Sequence, residues 1–90
     1  MDSKKITIEF DTKAAKEFKK LCHNNPTLLS RLTKTIDSLI LSPFQGKPLT
    51  GNKKGCYSLR EGDYRIIYEV YPTQNIIHII RVGHRRDVYR

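Results

Sequence analysis

Between residues 56 and 82 the chain carries three apolar runs separated by very short connections, and this constrains the fold more than any other feature. Residues 56–60 are followed by Glu61-Gly62-Asp63, a glycine-centred turn. Residues 64–70 are rich in aromatic and β-branched side chains, and residues 72–75 turn the chain again before the run at residues 76–82. Such compositions favour strands. Strands joined by three or four residues must return beside their predecessor, so the run is read as an antiparallel meander.

The upstream half supplies what covers that sheet. Residues 5–10 alternate strictly, with Ile6, Ile8 and Phe10 on one side and Lys5, Thr7 and Glu9 on the other, the period of a short half-buried strand. Asp11 or Thr12 can then cap a helix through a side-chain oxygen. Ala14, Phe18 and Leu21 fall at helical spacing, leaving Lys13, Lys16, Glu17, Lys19 and Lys20 towards water. His23-Asn24-Asn25 interrupts this helix. A second begins with Asn25 as N-cap and Pro26 at its first position, carries the stripe Leu28, Leu29, Leu32, Ile36, Leu39 and Ile40, and stops at Ser42-Pro43. Two adjacent amphipathic helices on a short link form an antiparallel hairpin. The expected fold is therefore α+β: a short N-terminal strand and a helical hairpin packed on an antiparallel meander, one domain over residues 1–90.

Residues 44–55 hold Gly46, Pro48, Gly51, Asn52 and Gly55, which reads as loop, with Lys47, Lys53 and Lys54 on mobile backbone. Within the meander, parity places Tyr64, Ile66, Tyr68 and Val70 on the buried face and Arg65, Ile67 and Glu69 on the other. Ser58 and Arg60 oppose Tyr57 and Leu59. In the last run Arg81 shares a side with Ile77 and Ile79, whereas Ile76, His78, Ile80 and Val82 point oppositely. Gly83 should end this strand. One face is thus apolar while the other collects arginines, and parity alone leaves the register open.

Charge narrows the function. Seventeen Lys and Arg against nine Asp and Glu leave +8 on a small surface, a potential that favours polyanionic partners, nucleic acid first. Solubility alone would also use an excess charge, but Arg81, Arg85, Arg86 and Arg90 crowd the last ten residues with only Asp87 opposing them. An acidic protein partner fits the same field. Cys22 and Cys56 are too few for a four-cysteine zinc site and read as reduced structural thiols. The stretch MDSKKITIEF has neither the apolar region nor the cleavage site of a leader, and the longest apolar run is too short to span a bilayer, so a soluble cytoplasmic protein is expected. No nucleophilic Cys-His or Ser-His-Asp set, phosphate-binding glycine motif or metal-ligand spacing is present, and no cofactor or metal is expected.

The segments GKPLTGNKKGCYSLREGDYRIIYEV and IIHIIRVGHRRDVYR resemble the C-terminal half of RelE toxins, with a Gly-Lys-Pro-Leu loop, a strand ending in Leu-Arg, a Gly-Asp-Tyr-Arg turn and a terminal His-Arg…Val-Tyr. The first half is similar in layout. The resemblance to the RelE/ParE superfamily implies a toxin neutralised by a cognate antitoxin that wraps around it as a hetero-oligomer. For RelE-type members it further implies ribosome-dependent mRNA cleavage in the A site without a metal. There the ribose 2′-OH attacks phosphorus and leaves a 2′,3′-cyclic phosphate and a 5′-OH. The ParE branch, which poisons DNA gyrase on a similar scaffold, is the alternative, and an inert antitoxin-bound regulator is a third reading.

The resemblance also distributes roles. Arg65 matches the Tyr-Arg position and is expected to grip phosphate through two oxygens; its other role would be a cross-strand pair with Glu69. Arg85 matches the arginine after the terminal glycine, with antitoxin binding or plain solvation as its other role. Tyr89 matches the C-terminal tyrosine that works near the base or ribose, where a phenol stacks or orients a hydroxyl. His84, the only histidine inside a matching motif, is the candidate acid or base, since imidazole titrates near neutrality. Lys53, Lys54, Arg60, Arg81 and Arg86 are expected to bind RNA. One departure stands out: the first meander strand carries Cys56 and Ser58 where RelE enzymes place lysines, which leaves the general base unidentified.

Overall fold

The computed structural model describes residues 5–89; Arg90, counted above among the terminal cations, and residues 1–4 of the N-terminal stretch lie outside them. Strand β1 is Thr7–Phe10, helix α1 Thr12–Cys22 and helix α2 Pro26–Asp37, which tightens into a 3₁₀ turn at Ser38–Ile40. The meander is β3 (Tyr57–Glu61), β4 (Tyr64–Tyr71) and β5 (Ile76–His84), preceded by a two-residue strand β2 at Lys47–Pro48. The helices start where the sequence says they should. Asp11 Oδ2 accepts from the Lys13 N–H and Asn25 Oδ1 from the Leu28 N–H, each at 3.1 Å, satisfying donors that the first turn leaves free.

The sheet order is β1-β5-β4-β3-β2. β1 runs parallel to β5, from Thr7 opposite Ile76 to Phe10 opposite Ile79, while the other neighbours are antiparallel. Parallel pairing needs a long connection, and the helices and the first meander strands provide it. The helices cover one face. Ala14, Leu28, Leu32, Ile36 and Leu39 meet Leu59, Ile66, Tyr68, Ile77, Ile79 and Val82 in a single core, with Ile8, Phe10 and Phe18 at its margin. Each large aliphatic side chain buried there contributes roughly 1.5–3 kcal/mol. The buried Tyr68 hydroxyl accepts from the Gly46 N–H at 2.9 Å, and a Cβ at Gly46 would lie 2.7 Å from that oxygen, so this position holds glycine.

Three expectations are corrected. The register shifts between Ile67 and Tyr68: Tyr68 faces Ile79 and Ile67 faces Arg81, leaving Ile80 as an extra residue. This bulge reverses the alternation, so Val82 joins Ile77 and Ile79 in the core and Arg81 stands opposite Ile67 on the open face. β5 does not end at Gly83 but runs on to His84. Lys47, read as loop, belongs to a strand, because Lys47 pairs with Ser58 and Pro48 with Tyr57.

The open face has an apolar plug of its own. Ile67 and Val88 are both buried yet stand apart from the main core. After β5 the chain turns back, with His84 O accepting from the N–H groups of Asp87 and Val88 at 2.8 and 3.2 Å. Val88 thereby lies on Gly83, where a Cβ would come within 2.9 Å of Val88 Cγ1. Cys22 and Cys56 are free thiols. Among the described residues no helix is long and apolar enough to cross a membrane.

Candidate active site

Beside the Val88 plug, the open face forms a concavity of about 480 Å³ lined by Lys47, Ser58, Arg60, Arg65, Arg85 and Tyr89. Strand register brings most of these together. Lys47 faces Ser58 across the β2–β3 pair, and Arg60 faces Arg65 across β3–β4. Ser58 and Arg60 are two residues apart on β3 and so share its open face. Arg85 is the first residue after β5. Its N–H donates to Asp63 O at 2.7 Å, tying the start of the tail to the β3–β4 turn. At the other end of the tail, Tyr89 follows the anchored Val88, and its hydroxyl lies 2.7 Å from Ser58 Oγ. Arg65 is steadied through one terminal nitrogen, which donates to Gly62 O at 3.0 Å and Tyr64 O at 2.9 Å.

The electrostatics single this place out. Two arginines elsewhere have close carboxylate partners: Arg31 meets Glu61 at 2.8 Å and Arg81 meets Glu17 at 2.9 Å. Among the described residues the ion pair reaching the concavity is a loose one, Arg85 Nε to Asp63 Oδ1 at 3.8 Å, with the two side chains 60% and 66% exposed. Such a pair contributes little in water. Directly opposed like charges, as at Arg60 and Arg65, cost a strand pair roughly 0.2–1 kcal/mol. Three guanidiniums and one ammonium around a common space form a receptor for a multiply charged anion, phosphate above all.

The expected residues divide between two sides of the sheet. Arg60, Arg65, Arg85 and Tyr89 meet at the concavity. His84 does not join them: it pairs with Tyr64 on the helix-side face, its ring edge-on to Tyr64 at 5.8 Å, and its Nδ1 accepts from the Arg86 N–H at 3.3 Å. The extension of β5 by two residues is the reason, since alternation turns Gly83 toward the open face and His84 away from it. His84 lines a separate depression with Glu17, Lys20, Arg81 and Asp87.

Arg81 is also drawn away from the concavity. Its Nε and one terminal nitrogen donate to Glu17, which accepts the Val82 N–H as well, and its other terminal nitrogen reaches Val88 O at 3.5 Å. Arg86 is exposed on the tail. Lys53 closes a 3₁₀ turn at Gly51–Lys53 with Lys54 after it, and neither lines the concavity. Lys47 and Ser58 are the members that the sequence reading passed over. The Gly-Lys-Pro-Leu motif was visible, but a two-residue strand between a glycine and a proline has no periodicity to read.

The profile of the family described as ParE toxin of type II toxin-antitoxin system, parDE, matches residues 8–89. The chain belongs to the RelE/ParE toxin superfamily. The toxin is 34% identical over 86 residues to Toxin RelG of Mycobacterium tuberculosis, covering 93% of this chain and 95% of that protein. It is 32% identical over 87 residues to the mRNA interferase toxin RelE of Escherichia coli, covering 91% of this chain and 87% of that one. Its fold matches the toxin-antitoxin complex RelBE2 of Mycobacterium tuberculosis with a TM-score of 0.78 at 32% identity, over 91% of this toxin and 93% of that chain. The resemblance, read over the whole chain with its specific motifs in residues 46–90, is thus matched by the family profile through both halves, helices included.

Proposed function

We propose that this toxin is an endoribonuclease that cuts messenger RNA on the ribosome and is held inactive by a cognate antitoxin. The observation that carries the reading is the concavity where Arg60, Arg65, Arg85 and Lys47 gather without close carboxylates around the Ser58–Tyr89 hydroxyl pair. In the reaction, the ribose 2′-OH attacks the adjacent phosphorus and the 5′-oxygen leaves, giving a 2′,3′-cyclic phosphate. Negative charge gathers on the non-bridging oxygens at the transition state. Fixed guanidiniums stabilise that charge more than the ground state's, which is what lowers the barrier. Arg65, steadied along the β3–β4 turn, and Arg85, mounted on the tail, are the two phosphate grips, with Arg60 on β3 extending the field. Tyr89 is placed to orient the ribose hydroxyl or stack on a base.

The relatives support the same reading: the Escherichia coli protein is named an mRNA interferase toxin, and the Mycobacterium tuberculosis structure is of a toxin-antitoxin complex. The cytoplasm, where ribosomes and the antitoxin are found, is the place of action. A cationic cleft would bind RNA indiscriminately unless covered, so the antitoxin is expected to form a stable hetero-oligomer that closes part of this face.

Primer extension on a translated mRNA after induction tests the proposal. Discrete cuts within codons are expected, suppressed when the cognate antitoxin is co-expressed. The family profile, described for parDE, favours a second reading as a gyrase inhibitor. Intact mRNA together with blocked DNA supercoiling would move the toxin to that branch.

A further inference from the structure

We propose that Lys47 is the general acid of the cleavage, donating a proton from Nζ to the 5′-oxygen that leaves the scissile phosphate. The inference rests on the nuclease reading above. It begins from what lines the concavity: three guanidiniums, one ammonium and two hydroxyls. A guanidinium keeps its proton in proteins. The two hydroxyls, Ser58 and Tyr89, hydrogen-bond to each other at 2.7 Å. The imidazole that the sequence offered for proton transfer, His84, stands with Tyr64 on the opposite face of the sheet. That leaves the lysine. An alkylammonium is protonated at neutral pH and is a stronger acid than a guanidinium by about two units or more, so among the cations of the concavity it is the one able to give up a proton.

The backbone that carries Lys47 is well held. Gly46 N–H is bound by the buried Tyr68 hydroxyl at 2.9 Å, and Lys47 and Pro48 pair with Ser58 and Tyr57. Leu49 N–H then donates to Cys56 O at 2.9 Å. Three successive attachments make a fixed base for a side chain whose ammonium has no carboxylate ion pair among the described residues. Ser58, a small side chain, stands opposite Lys47 across the strand pair, and both line the concavity. The step balances. The 2′-oxygen bonds to phosphorus as its proton passes to solvent, the P–O5′ bond breaks, and its electron pair takes a proton from Nζ to give the 5′-OH. The neutral amine regains a proton from water before the next turnover.

The test uses purified toxin and ribosomes carrying mRNA with either an ordinary phosphodiester or a 5′-bridging phosphorothiolate at the cut position. Sulfur leaves as a thiolate without needing a proton. Lys47→Ala should cut the ordinary link about 100- to 10,000-fold more slowly than the parent, the usual range for losing a general acid, and the thiolate link nearly as fast. Lys47→Arg keeps the charge and should share both properties. Parent-like cleavage of the ordinary link by Lys47→Arg would make the role one of charge and overturn the proposal. Equal slowing of both links in Lys47→Ala, or no slowing at all, would overturn it too. A parent toxin that cuts neither link removes the nuclease reading itself, and a thermal melt unchanged by the substitutions keeps folding out of the comparison.

Discussion

The hydroxyl of Tyr89 lies 2.7 Å from that of Ser58, a hydrogen bond between residues 31 positions apart that ties the tail to the start of β3. Other attachments hold the same tail, among them Arg85 N–H on Asp63 O and Val88 over Gly83. The bond fixes where the phenol sits in the concavity. Tyr89→Phe should therefore fold like the parent and cleave ribosome-bound mRNA more slowly. Ser58→Ala should leave the tyrosine present but less well placed. A neutral hydrogen bond contributes about 0.5–1.5 kcal/mol, so a loss of roughly 2- to 10-fold is expected for Ser58→Ala. Single-turnover cleavage beside a thermal melt measures both, and a parent rate in Tyr89→Phe would remove the phenol from the reaction.

Arg65 separates function from folding most sharply. Its carboxylate alternative, Glu69, is occupied elsewhere, with His78 at 3.7 Å and Tyr71 at 3.1 Å. Arg65→Ala should keep the parent's melting temperature within a few degrees and lose about 100- to 1,000-fold in cleavage rate, as when one well-placed electrostatic group is removed. Arg65→Lys retains charge without the planar fork and should recover part of that loss. Full cleavage by a folded Arg65→Ala protein would exclude it from the site.

Arg81 behaves as a structural residue. It and Glu17 are 17% and 23% exposed, and the Glu17 carboxylate also takes the Val82 N–H. Because Arg81 reaches Val88 O at 3.5 Å, the pair also holds the tail. Removing one partner strands a half-buried charge, so Glu17→Ala or Arg81→Ala should lose roughly 1–3 kcal/mol of stability. Urea unfolding measures this. RNA affinity that falls in Arg81→Ala with stability untouched would contradict the assignment.

Tyr68 predicts an alkaline limit. Burial lifts its phenol above the ordinary value of 10, opposed in part by the Gly46 N–H. Between that value and the higher folded one, the unfolded chain releases the proton and the folded chain keeps it. The contribution to stability is complete below pH 10 and falls as pH rises through this window. Tyr68→Phe should flatten this part of the decline while costing about 1–3 kcal/mol at neutral pH, since the Gly46 N–H loses its partner. Chemical denaturation across alkaline pH reads the slope, and an unchanged slope would place the titration elsewhere.

The main helices and strands were legible in the sequence. Alternation in residues 5–10, the two capped amphipathic helices and the short turns of the meander are local signals. Each survived because the tertiary contacts reinforce it. Arg60 and Arg65 were legible because motif and parity agreed, and Arg85 and Tyr89 through the terminal motif alone; all four line the concavity. The rest turns on strand register. A single bulge residue, Ile80, exchanged the faces of Arg81 and Val82. The extension of β5 through Gly83 to His84 carried the one motif histidine to the wrong side for the concavity. Pairing with β3 placed Lys47, which composition reads as loop, on the lining of the concavity. A bulge, a strand end and a two-residue strand are set by hydrogen bonds between distant segments. The pattern of side chains along one segment does not encode them.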